Sequence, residues 1–110
     1  MIERKLVSFE LFRQLVKWLE ANEALIAEMD EYKRNPLDWS RQKTRRICFK
    51  VEFEARRYLD VAKRFQESNI DKDKFAIALG VVAYDYIHSD GQITHQKTMR
   101  RGFKRLKSSQ

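Results

Sequence analysis

Arginine and lysine side chains recur along residues 41–64 at spacings that gather many of them on one side of a helix. Because each residue turns an α-helix by about 100°, a sector about 60° wide holds five of them. These five are Lys43, Arg46, Lys50, Arg57 and Arg64. Phe53 lies at the edge of this sector, and Phe49 lies with Arg45 across the helix. Cationic side chains neutralise phosphates and exposed phenyl rings stack on unpaired bases, so the pattern predicts nucleic-acid binding.

The same residues also fit a solvated helix face whose phenylalanines pack against a neighbouring helix. Glu52, Glu54 and Asp60 lie close enough in sequence to form ion pairs with some of the basic side chains. The nucleic-acid interpretation and the solvated-face interpretation both remain open from the sequence.

The C-terminal segment 97–107 is a second concentration of positive charge. It contains no acidic residue and six basic ones, namely Lys97, Arg100, Arg101, Lys104, Arg105 and Lys107. Like charges one helical turn apart repel each other, so a bound polyanion would stabilise this segment as a helix. Gly102 is predicted to let a phosphate backbone approach closely. The alternative is a solubilising basic terminus that complements the helix dipole.

The formal net charge of +7 is therefore unevenly distributed. Residues 33–50 and 91–110 each carry a net charge of +6, whereas residues 1–32 and 51–90 carry −3 and −2. The two basic blocks, together with Arg57, Arg64 and Phe53 from the segment between them, supply the predicted nucleic-acid contacts. These are Arg41, Lys43, Arg45, Arg46, Lys50, Arg57, Arg64, Lys97, Arg100, Arg101, Lys104 and Arg105, with Phe49 and Phe53 as stacking groups.

The sequence contains no strong combination of residues that would indicate a catalytic or metal site. His88 and His95 lie seven residues apart without a third ligand in register, which argues against a metal site. Cys48 has basic neighbours that could lower the pKa of its thiol, but no general base is placed beside it. The chain contains no glycine-rich phosphate loop and no serine-nucleophile motif. We therefore expect a protein that is not an enzyme and that needs neither a metal nor a cofactor.

Length and composition predict one all-α domain. The chain has 110 residues, 43% of them hydrophobic, but only three glycines and one proline for turns. The single cysteine excludes an intramolecular disulfide and favours a reducing compartment. The first residues contain no apolar run of signal-peptide length, and the apolar stretch 75–87 is too short to span a bilayer. A cytoplasmic location without membrane attachment is the expectation.

Apolar periodicity predicts a four-helix, bundle-like domain with helices at about 8–32, 38–68, 72–88 and 94–107. Ser8 and Thr94 are predicted N-caps, and Pro36 ends the first helix. The helix over 38–68 is unusually long, and the one over 72–88 is apolar on most sides and predicted to be central. Trp39 is the aromatic residue that we expect to be exposed for a partner.

The segment around 72–107 also has features of a helix-turn-helix reader of duplex DNA. The side chains that would reach the bases in such a unit are Thr94, His95, Gln96, Thr98 and Arg101. However, the preceding helix is longer and more apolar than in the usual compact motif. A helix-turn-helix repressor is therefore an alternative, not the leading interpretation.

The basic segments 41–50 and 97–107 on a small helical frame resemble the small subunit of multi-subunit CRISPR interference complexes. The resemblance covers the whole chain in architecture and implies several copies that contact guide, target or displaced strands through basic faces, without sequence specificity. We thus predict a non-catalytic protein that binds an RNA or DNA backbone together with other subunits or copies of itself. A second alternative is a phage- or plasmid-type regulator or inhibitor that binds an acidic protein partner.

Overall fold

The computed structural model describes residues 2–68, 70–89, 92–93 and 96–108, with side chains for 8–68, 70–89, 92–93 and 97–106. All regular structure in these residues is helical, which confirms the predicted all-α class. The elements in chain order are α1 (Ile2–Ala21), α2 (Glu23–Lys33), a 3-10 turn (Pro36–Asp38), α3 (Arg41–Val61), α4 (Lys63–Gln66), α5 (Lys72–His88) and α6 (Gln96–Ser108).

The helix predicted over residues 8–32 is in fact two helices separated at Asn22. α1 begins at Ile2, so Ser8 lies inside the helix and the prediction that it is an N-cap is wrong. The backbone of Asn22 is extended, and its side-chain oxygen accepts a hydrogen bond of 3.1 Å from the backbone N–H of Leu25. Asparagine favours this position because it satisfies an N–H that the first helical turn leaves without a partner.

The long helix predicted over residues 38–68 is also interrupted. It begins at Arg41, after Ser40, whose Oγ accepts a hydrogen bond of 3.1 Å from the backbone N–H of Lys43. It ends at Val61, and the extended backbone of Ala62 separates it from the short helix α4. The break turns the chain so that Phe65 is buried, with its ring edge-on to Tyr58 and Phe75.

Helix α5 occupies the centre of the fold and has the predicted bounds of residues 72–88. Asp71 caps it by accepting a hydrogen bond of 3.3 Å from the backbone N–H of Lys74. α5 packs against α1, α2, α3 and α6, because apolar residues cover most of its circumference. The core that surrounds it includes Phe12, Leu15, Leu19, Met29, Val51, Leu59, Leu79 and Val82.

The last helix, α6, packs on α5 and α1 through Gly102. A Cβ atom at this position would lie 2.6 Å from Val82 Cγ2 and 2.8 Å from Phe12 Cζ. The glycine therefore permits close contact between helices, and the prediction that it admits a phosphate backbone is wrong. Phe103 completes the contact with its ring edge-on to Phe9 at 5.2 Å between centroids. The predicted cap at Thr94 lies outside the described residues.

Candidate nucleic-acid interface

A groove of about 830 Å³ lies between α3 and α5, and one side chain of α6 reaches it. Its lining includes Arg41, Arg45 and Phe49 of α3, Tyr84 of α5 and Arg105 of α6. Arg41 and Arg45 belong to the first basic block of the sequence, and Arg105 belongs to the second. The fold therefore brings side chains of both blocks to one surface feature, although about 60 residues separate them along the chain.

The buried stripe of α3 fixes which side chains face the groove. Thr44, Ile47 and Val51 are buried, and this orients the helix about its own axis. Arg41, Arg45 and Phe49 are spaced by four residues and therefore form a row along one side of α3. The row lies beside the buried stripe, where α3 meets α5. All three side chains are exposed.

Three of the phosphate contacts predicted between residues 41 and 64 form ion pairs within the chain instead. Lys50 Nζ lies 2.7 Å from Glu28 Oε2, Arg57 lies 4.0 Å from Glu54, and Arg64 lies 3.4 Å from Glu10. The hydrogen bond from Lys50 to Glu28 is also the main cause that raises the pKa of Lys50. Arg64 belongs to α4, beyond the end of α3, so the prediction that it continues the α3 sector is wrong.

The N-terminal part of α3 carries four basic side chains that are accessible to a ligand. Among the described side chains, none forms an ion pair with Arg41, Lys43, Arg45 or Arg46. All four are exposed. Clustered cations at this end of a helix are unfavourable, because the helix dipole places its positive end there. A bound anion would relieve both the repulsion among the side chains and their repulsion by the dipole.

Helix α6 divides its basic residues between two directions. Lys97, Arg100 and Lys104 recur at steps of three and four residues and share its exposed side. Arg101 turns toward α5 and pairs with the carboxylate of Asp85. Arg105, at the next turn on the same side as Arg101, lines the groove. Of the described basic side chains of α6, Arg105 is therefore the one that lines the groove, and Lys97, Arg100 and Lys104 share a different side of the helix.

The helix-turn-helix interpretation loses one of its base-reading residues. Thr98 is 1% exposed, and its hydroxyl donates a hydrogen bond of 2.8 Å to Asp85 Oδ2. A side chain held in this way cannot reach a base edge in the major groove. Arg101, a second candidate of that motif, is the ion-pair partner of the same carboxylate. Thr94 and His95 lie outside the described residues, as does the side chain of Gln96.

Both predicted stacking groups are exposed: the exposed fraction is 56% for Phe49 and 57% for Phe53. They do not pack into the core, so the alternative in which a neighbouring helix of the chain covers them is wrong. Phe49 lines the groove, and the guanidinium carbon of Arg45 lies 5.8 Å from the centre of its ring. Phe53 lies one turn further along α3 and is not part of the groove lining.

Trp39 closes one end of the groove and is less exposed than predicted. Its indole N–H donates a hydrogen bond of 2.7 Å to the carbonyl of Tyr32, and its ring lies edge-on to His88. The hydroxyl of Tyr32 is 2.8 Å from Thr44 Oγ1, which in turn lies 3.3 Å from His88 Nε2. These contacts join α2, α3 and α5, and burial lowers the pKa of His88.

Glu52 and Tyr84 are among the groove residues that are absent from the predicted contacts. A Cβ atom on Gly80 would lie 2.6 Å from Glu52 Oε1, so this carboxylate rests on the backbone of α5. Tyr84 lies four residues after Gly80 and four before His88, a spacing that marks a shared side of α5. The sequence does not reveal this exposed side, because the apolar run 75–87 predicts that α5 is buried around its whole circumference.

Burial dominates the chemistry of the single thiol. Burial, and to a smaller extent the nearby carboxylate of Glu52, raise the pKa of Cys48 to about 11. The thiol is therefore protonated at neutral pH and is a poor nucleophile there.

Within the described ranges, His, Cys, Asp and Glu side chains form no group of three or more that could hold a metal ion.

The sequence matches no protein-family model, and no curated protein or solved structure is significantly similar to it. Searched over the described residues, the chain contains no helix that combines the length and apolar character needed to cross a membrane. The resemblance to the CRISPR small subunit stays a prediction on these findings.

Proposed function

We propose that this protein binds the backbone of nucleic acids through the groove between α3 and α5 and the exposed basic side of α6. One observation carries the proposal: Arg41 and Arg45 of α3 line the same groove as Arg105 of α6. Guanidinium groups bind phosphate oxygens in a bidentate manner, and several of them on one surface neutralise several phosphates of a strand. Such contacts carry no base information, so binding is independent of sequence.

The exposed aromatic residues favour a nucleic acid over an acidic protein surface. An acidic protein would require only the cations, whereas Phe49 and Tyr84 add exposed rings directly beside them. Rings next to arginines are typical of surfaces that bind unpaired bases and the phosphates between them. The nucleic-acid proposal accounts for both classes of side chain.

The assembly is part of the proposal. We infer that several copies bind side by side along a strand within a larger nucleoprotein complex, as the resemblance to CRISPR small subunits implies. Non-specific backbone contacts allow this because every register along a strand is equivalent. The number of copies bound should therefore rise with strand length, which sedimentation of the protein with strands of increasing length would measure.

Charge reversal tests the proposed surface. We expect Arg41→Glu/Arg45→Glu to abolish binding of a labelled oligonucleotide at about 50 mM salt, where non-specific contacts are strong. The matched control is Arg13→Glu/Lys17→Glu, which changes the net charge equally at two exposed positions of α1 outside the groove. Equal losses in both variants would contradict the proposal. Equally tight binding of polyglutamate by the unmodified protein would instead identify an acidic protein as the partner.

A further inference from the structure

Three of the apolar side chains that the fold leaves exposed line the same groove. Phe49 belongs to α3, and Ile77 and Tyr84 belong to α5. Scattered exposed apolar residues need no explanation, but several of them on one concave surface indicate a binding site. The groove volume of about 830 Å³ lies within the range of small-molecule sites. Its lining therefore fits a flat, largely apolar group such as a base.

Glu52 gives the interior of the groove a negative charge. Its carboxylate lies against Gly80 at the level of the α5 backbone. Burial raises the pKa of Glu52, and the nearby Arg56 offsets only part of this effect. A carboxylate repels a phosphate but accepts hydrogen bonds from the amino groups of base edges. The interior therefore suits a base better than it suits the backbone.

Three arginines supply the positive charge of the groove. Arg41, Arg45 and Arg105 line the groove, and all three are exposed. The guanidinium carbon of Arg45 lies over the ring of Phe49, 5.8 Å from its centre, so a cation and an aromatic ring are adjacent at this point of the groove. Aromatic rings and a carboxylate next to exposed arginines match the base and the phosphate of a single nucleotide.

We propose that the groove receives an unpaired base of a single strand, with Phe49 and Tyr84 against its ring and the groove arginines on the flanking phosphates. This inference rests on the proposed function and adds to it the form of the nucleic acid. Bases in a duplex are stacked and paired, so they cannot enter a groove without the energetic cost of being flipped out. Binding should therefore favour single strands.

Three labelled probes of equal length separate this inference from the proposed function. They are a mixed-sequence single strand, an abasic single strand and a blunt duplex. We expect the unmodified protein to bind the single strand at least about fivefold more tightly than the abasic strand. Equal affinities for these two, or tighter binding of the duplex, would overturn the inference and leave backbone binding intact. Absence of binding to all three would overturn the proposed function itself.

Phe49→Ala and Phe53→Ala are a matched pair of variants. Both rings are exposed to nearly the same extent and lie one turn apart on α3, but only Phe49 lines the groove. We expect Phe49→Ala to weaken single-strand binding at least about fivefold and to leave abasic-strand binding unchanged. Phe53→Ala should change neither. Equal effects of the two variants on the single strand, or no effect of Phe49→Ala, would overturn the inference.

Discussion

Arg101 of α6 pairs with the carboxylate of Asp85 of α5, a residue whose side chain is only 7% exposed. The same carboxylate accepts a hydrogen bond of 2.8 Å from Thr98 Oγ1. Burial of a carboxylate is costly unless it is paired and hydrogen-bonded, and both partners here come from α6. The contact therefore attaches the basic C-terminal helix to the core and sets its position beside the groove.

Loss of this ion pair should destabilise the fold. We expect Arg101→Ala to lower the free energy of unfolding by about 2 kcal/mol, because it leaves a buried carboxylate with one hydrogen-bond donor fewer. The control Arg100→Ala removes an exposed neighbour and should change stability by less than about 0.5 kcal/mol. Urea unfolding followed by circular dichroism measures both values. Equal costs for the two variants would show that the contact contributes nothing specific.

Gly102→Ala distinguishes a packing role from a ligand-binding role for this glycine. The new Cβ would lie 2.6 Å from Val82 Cγ2 and 3.1 Å from the carbonyl oxygen of Ala78. Alanine favours the helix by about 1 kcal/mol, but overpacking costs about 1–3 kcal/mol, so we expect a net loss of stability. Thermal and urea unfolding would measure it. A more stable variant would contradict the close packing of α6 on α5.

The reactivity of Cys48 should depend on pH in a characteristic way. With a pKa of about 11, the folded thiol is mostly protonated at pH 8–10, a range that includes the ordinary thiol pKa of 9.0. We therefore expect its alkylation rate to rise about tenfold per pH unit across this range. In urea the rate should level off above about pH 9. A plateau near pH 9 in the folded protein would contradict the raised pKa.

The same shift has a consequence for stability. The pKa of Cys48 is higher in the folded state than the ordinary value of 9.0, so the folded state holds this proton more tightly. The resulting stabilisation is complete below about pH 9 and is lost as the pH rises toward 11. Glu52→Gln removes the smaller of its two causes and should move the alkylation profile to lower pH. An unchanged profile would mean that burial alone sets the pKa.

Much of the fold could be predicted from local patterns. Helix α5 is bounded by the cap at Asp71 and by the end of its apolar run, so both limits are visible in the sequence. The breaks at Asn22 and Ala62 were not predicted. The first depends on one side-chain hydrogen bond, and the second on the burial of Phe65, which is a tertiary contact. An apolar pattern of helical period continues through both breaks.

The candidate site was predictable in its parts but not in its assembly. Charge and spacing identified Arg41, Arg45 and Arg105 as basic surface residues. Their convergence depends on how α6 packs, and that is set by Gly102 and Asp85. One signal was available: an aspartate within the apolar run 75–87 requires a partner, because a lone buried carboxylate is strongly unfavourable.

The salt dependence of single-strand binding reports how many phosphates the protein neutralises. The logarithm of the binding constant should fall linearly with the logarithm of salt concentration, by about 0.7 for each phosphate neutralised. We predict that Arg41→Ala/Arg45→Ala lowers the magnitude of this slope by about 1.4, whereas Arg13→Ala/Lys17→Ala leaves it unchanged. A slope unaffected by loss of the two groove arginines would contradict the account.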